Sequence, residues 1–99
     1  MIYEYNGTGC LLEDGLYYFY ASWSSKCNTL KERLQRLSSS MPDLRIYRVN
    51  TTHYQTLKKN LSIQRIPTYL WVNDAHIVSK MEGNVDFYSL KKWIEKMRE

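Results

Sequence analysis

Long hydrophobic runs are absent from this sequence. The longest, Leu16 to Ala21, has six residues, against the ~20 that a membrane-crossing helix needs, so no span is expected. Glycine and proline are scarce, four and two in 99 residues, which excludes collagen-like and linker-like chains. The opening Met1-Ile2-Tyr3-Glu4-Tyr5-Asn6 has no basic stretch followed by an apolar core, so no secretory signal is expected. On that reading the chain works in a reducing cytoplasm, where its two cysteines, Cys10 and Cys27, form no structural disulfide. The sequons at Asn6, Asn50 and Asn60 then carry no meaning, because only secreted chains are glycosylated there. Cys10, Cys27, His53 and His76 show no metal-ligand spacing. Neither a metal nor another cofactor is expected.

Lysine and arginine are missing from the first 25 residues, which carry −3 from Glu4, Glu13 and Asp14. Residues 26–65 hold nine basic and two acidic side chains, a net +7, and residues 66–99 balance. Such a basic middle could touch nucleic acid. Its charges recur at helix-surface spacing, however, and are read as solvated, so nucleic acid is not the expected partner. The composition, 43% hydrophobic and 24% charged, is that of a globular chain, and residues 1–99 are expected to form one domain. Nine tyrosines and three tryptophans supply large apolar surface for a small core.

Periodicity orders the elements. Ile2 to Tyr5 is short and aromatic and reads as a strand, broken by Asn6-Gly7-Thr8-Gly9; Cys10 to Asp14 reads as a helical turn. Leu16 to Tyr20 is an unbroken aromatic run, the pattern of a strand buried on both faces. Cys27, Leu30, Leu34 and Leu37 then form one stripe of an amphipathic helix, with Ser24 or Ser25 as its cap. Leu44 to Asn50 reads as the second strong strand. Thr52 to Asn60 reads as a short helix with Tyr54, Leu57 and Leu61 inward. Ile66-Pro67 leads into a strand over Thr68 to Val72, and Asn73-Asp74 turns the chain into a returning strand, His76 to Met81. Asp86 caps a last helix whose stripe is Phe87, Leu90, Trp93, Ile94 and Met97. The expected fold class is α/β, a central mixed sheet of four to five strands flanked by helices on both faces.

That order, together with Phe19-Tyr20-Ala21-Ser22-Trp23, then Ser24-Ser25-Lys26-Cys27, then Ile66-Pro67-Thr68 and Gly83, resembles the thioredoxin family. The resemblance runs from Leu16 to Met97. It implies a thioredoxin fold, a cis Pro67, and a groove for an extended peptide lined by Trp23, Ile66, Pro67, Thr68 and Gly83. Ser25 and Lys26 would set the redox poise. The implied activity is thiol–disulfide exchange. The first cysteine of the family's C-x-x-C attacks a substrate disulfide, helped by a helix N-terminus that stabilises thiolate. The second cysteine then resolves the mixed disulfide. Implied partners are disulfide-containing proteins, with a thioredoxin reductase or glutathione as electron donor.

Two positions depart from the family. Ser24 stands where the attacking cysteine belongs, with Cys27 at the resolving position. Three readings of Ser24 stand open: a cysteine-to-serine form of a W-C-S-K-C site, a natural hydroxyl that holds a glutathione thiolate, or a helix cap with no chemistry. The sequence as written is therefore expected to be inactive or severely impaired as a reductase. The alternative function is a redox-inactive binding module that uses the same groove for a partner protein or glutathione. Tyr18 falls where the family often keeps a buried acid, and a phenol with an ordinary pKa near ~10 is a poor base at neutral pH. Cys10 has no family counterpart.

Overall fold

The computed structural model describes residues 2–7, 13–21, 25–83 and 85–99, with side chains of the first helix described from Lys31 onward. Five strands form one sheet: β1 (Ile2–Glu4), β2 (Gly15–Tyr20), β3 (Ile46–Asn50), β4 (Thr68–Asn73) and β5 (His76–Glu82), in the spatial order β1-β3-β2-β4-β5. The helices are α1 (Ser25–Ser40), α2 (Gln55–Asn60) and α3 (Phe87–Met97). β2 and β3 run parallel, joined through α1, and β1 adds to β3 in parallel. β4 lies antiparallel to β2, and β5 antiparallel to β4.

The aromatic run makes β2 the centre of the sheet. Leu16 and Tyr18 face one layer, where they pack with Leu34 and Leu37 of α1 and Leu90 and Ile94 of α3. Tyr17 and Phe19 face the other, with Val49, Ile63 and Leu70, covered in part by Tyr54 and Leu57. A strand buried on both faces needs apolar side chains at every position, and this one has them. Cys27 and Leu30, the first half of the expected α1 stripe, lie outside the described side chains.

Four strand ends differ from expectation by a single residue, and three further differences have a visible cause. Leu44 closes a turn after α1, its N–H donating to the Met41 carbonyl at 3.0 Å, so β3 begins at Ile46. Thr52 and His53 stay outside α2: the Asn50 side chain accepts from the Thr52 N–H at 3.0 Å, and the Asn50 carbonyl accepts from His53 and Tyr54 at 3.1 Å. These bonds make a turn that uses up the donors a longer helix would direct along its axis. In the hairpin, Asn73 pairs with His76, so the turn is centred on Asp74 and Ala75, both at positive φ of 56° and 63°. That is the handedness a two-residue hairpin needs, and the Asp14 carboxylate accepts from the Asp74 N–H at 2.8 Å. The helical turn expected over Cys10 to Asp14 lies mostly outside the described residues. Asp86 caps α3 as expected, its carboxylate accepting from the Ser89 N–H at 2.9 Å.

Candidate functional site

Topology brings the candidate segments to one end of the sheet. The parallel strands β2 and β3 finish there, at Tyr20 and Asn50, while antiparallel β4 starts there, at Thr68. Because β5 is antiparallel to β4, its end is there too: Thr68 pairs with Glu82. α1 opens at Ser25, five residues beyond the end of β2. Trp23 and Ser24 lie outside the described residues, as do the side chains of Ser25, Lys26 and Cys27, so no geometry is assigned to them.

The described half of the site is well built. The Ile66–Pro67 peptide bond is cis. Pro67 and Thr68 are buried and Ile66 half-buried. The Gly83 N–H donates to the Pro67 carbonyl at 2.8 Å, tying two segments that the sequence places sixteen residues apart. The Thr68 hydroxyl donates to the Arg65 carbonyl, which fixes the approach to β4. Gly83 sits at φ +85°, a conformation side chains resist, with open space where a Cβ would go. The ladder between β2 and β4 ends at Phe19 and Thr68, so residues 65–67 lie beyond it. Of the sequence candidates, then, Ile66, Pro67, Thr68 and Gly83 are brought together.

Behind this rim lies a polar layer that sequence reasoning missed. The Tyr20 carbonyl accepts from both the N–H and the hydroxyl of Thr51, each at 2.8 Å. Thr51, Thr52, Gln55 and Lys58 line a cleft of about 230 Å³ directly against that strand end. In the sequence Thr51 falls between two expected elements and stands only in the sequon Asn50-Thr51-Thr52. The polar run at the end of a strong strand was the available signal.

Under the α1 layer, tyrosine rings replace charge. Tyr18, 1% exposed, stacks between Tyr20 and Tyr69, with ring centroids at 5.7 and 5.3 Å. The position that the resemblance assigns to a buried acid is thus part of an aromatic stack. The Tyr20 hydroxyl donates to Glu4 at 2.5 Å, and the Arg48 guanidinium sits 4.5 Å from the Tyr20 ring centre. Burial, then the bond to the Glu4 carboxylate, pushes the Tyr20 phenol up to about 12. Glu4 also pairs with Arg48, at 3.6 Å. Among the described residues no three potential metal ligands gather, and no helix is long and apolar enough to cross a membrane.

This sheet order, with two helices on one face and one on the other, defines a class of α/β scaffold, and the comparisons say which. The Thioredoxin family model matches residues 12–96. A thioredoxin domain-containing protein 5 homolog of Drosophila melanogaster is 28% identical over 80% of this chain and 20% of its own length. The mitochondrial thioredoxin-3 of Saccharomyces cerevisiae is 25% identical over 66% of this chain and 51% of its own. The crystal structure of Chlamydomonas reinhardtii thioredoxin f2 superposes with a TM-score of 0.78 at 25% identity, covering 89% of this chain and 83% of that one. The chain belongs to the thioredoxin family and has the thioredoxin fold. It spans between a fifth and about half the length of these two curated relatives.

Proposed function

We propose that this chain is the scaffold of a protein disulfide reductase with serine at the attacking position. The observation that carries the reading is the joined Pro67–Gly83 rim at the start of β4, the end of the sheet where β2 finishes and α1 opens at Ser25. An extended substrate would lie along the rim and pair with the backbone of Ile66, as peptides add to exposed strand edges. In a W-C-S-K-C form, the thiolate at position 24 attacks one substrate sulfur and the other leaves as a thiolate. Cys27, as thiolate, then attacks the mixed disulfide. The products are a 24–27 disulfide and a reduced substrate, and two electrons have passed to the substrate. A thioredoxin reductase or glutathione, in a reducing cytoplasm, would return them.

Serine stops the first step. An alcohol is not acidic enough to ionise and forms no disulfide. Ser24 itself favours a second reading, a redox-inactive module that holds a partner protein or glutathione in the same groove. One comparison separates the two: reduction of a protein disulfide by the Ser24→Cys variant and by the parent, with a dithiol donor. Turnover by the variant alone supports the reductase scaffold. Inertness of both removes it and leaves the binding module, which then requires saturable partner or glutathione affinity lost in Pro67→Ala.

A further inference from the structure

From Leu44 to Asn73 the chain carries no carboxylate at all, while it carries Arg45, Arg48, Lys58, Lys59 and Arg65. Those residues comprise β3, α2, the approach to Pro67 and β4. Arg45 pairs with Glu13 and Arg48 with Glu4, each at 3.6 Å. Lys58, Lys59 and Arg65 make no ion pair among the described residues. Two of these three are at the site: Lys58 lines the cleft against the end of β2, and Arg65 is exposed, one residue before Ile66. The carboxylates at this end of the sheet are on other segments and already engaged. Glu4 holds Tyr20 and Arg48, Glu82 pairs with Lys80 at 3.0 Å, and Asp86 caps α3.

We infer that Lys58 and Arg65 make this groove selective for disulfides flanked by acidic residues. The inference rests on the reductase reading and names its substrate class. The cleft between Thr51, Thr52, Gln55 and Lys58 has hydroxyl, amide and ammonium donors suited to a carboxylate side chain. Arg65 meets the next acidic residue along the strand. Duplex or single-stranded nucleic acid is the other polyanion a cationic rim could take. It is disfavoured because no base-stacking aromatic is described among the cleft residues.

The test uses two synthetic peptides, each with one internal disulfide, flanked by glutamates or by lysines. The Ser24→Cys chain with dithiothreitol gives kcat/KM for each, and the parent chain gives Kd for each. The acidic peptide is expected to win by about tenfold at low salt, about 1.4 kcal/mol, and the margin to shrink in about 0.5 M salt as charges are screened. Lys58→Glu with Arg65→Glu inverts the preference, and the neutral pair Lys58→Gln with Arg65→Gln abolishes it. Lys92→Glu with Lys96→Glu, on the far face of α3, leaves it in place. Equal kcat/KM and Kd for the two peptides overturns the inference. So does an equal loss from the α3 pair, which would make net charge the cause. Tighter binding of a single-stranded oligonucleotide than of the acidic peptide also overturns it. If neither peptide turns over, the reductase reading fails on its own, and the Kd values still decide whether the rim selects acids.

Discussion

Leu37→Ala should cost far more than Leu57→Ala, because the two faces of this sheet are covered unequally. Leu37, on α1, is fully buried in the core cluster that also holds Leu16 and Ile46 of the sheet and Ile94 of α3. Truncation removes three carbons and leaves a void that a sheet below and a second helix alongside cannot close. Void-forming leucine truncations cost about 3–5 kcal/mol, and the rigid surroundings place this one near 3–4. Leu57 is half-buried on a six-residue helix. Water fills its place, no void remains, and about half of the transfer term is lost, roughly 1 kcal/mol.

Urea unfolding followed by circular dichroism separates the two. With a slope of about 1.5–2 kcal/mol per molar, the Leu37→Ala midpoint drops by about 2 M and the Leu57→Ala midpoint by about 0.5 M. In thermal melts Leu37→Ala loses about 15 °C or more. Since a domain of this size has about 5–15 kcal/mol in total, Leu37→Ala also loosens the helix that carries positions 25–27. Equal losses in the two variants, or a loss below about 1 kcal/mol at Leu37, would refute the packing argument.

Three further outcomes follow from single contacts. Burial and the neighbouring Tyr47 push the Tyr17 phenol up to about 12. Because the folded value exceeds the unfolded ~10, stability is whole below pH 10 and is lost as pH climbs toward 12. The loss is on the order of 2 kcal/mol after screening, and phenolate absorbance during alkaline titration should rise together with unfolding. Gly15→Ala should be severe: a Cβ there would sit 2.5 Å from the Arg45 carbonyl oxygen, at φ +147°. Gly83→Ala meets open space and only the strain of positive φ, about 1 kcal/mol, so parallel melts must rank Gly15→Ala well below it. The bonds from Ser89 hold the Asp86 carboxyl below its ordinary range. The cap is therefore intact above the unfolded value near ~3.9 and is lost as pH falls through the folded one. Asp86→Ala should flatten that acid limb of a stability–pH curve.

Strong local patterns were legible, and long-range pairings were not. The aromatic run of β2 and the Asp86 cap with its Phe87, Leu90 and Ile94 stripe needed no tertiary information, because each pattern has one low-energy solution. β1 was different. Three residues carry no period, and its place depends on Ile2 meeting Ile46, forty-four residues away. The hairpin turn slipped by one position for a similar reason. Asp74-Ala75 lacks the usual glycine, and the stabilising bond comes from Asp14, across the sheet. At the site, Ile66-Pro67-Thr68 and Gly83 were marked by a motif. Thr51, Gln55 and Lys58 were not, since a cleft formed by a turn and a short helix leaves no signature in either segment.

The electrostatics of this end of the sheet bear on the attack proposed at position 24. α1 and α3 both begin at the end where β2 and β5 finish, so both present the positive ends of their dipoles there. The flank without carboxylates adds Lys58 and Arg65. An anion at the N-terminus of α1 is therefore favoured, whichever side chain carries it. A thiol starts near ~8.5, close enough to neutrality that such a field, worth a unit or two, converts it to thiolate. An aliphatic alcohol starts so much higher that the same field leaves it neutral. Ser24→Cys thus changes the chemistry out of proportion to its size. A thiol titration of that variant should give one group ionising well below the ordinary cysteine value, and an ordinary value would show that the field does not reach position 24.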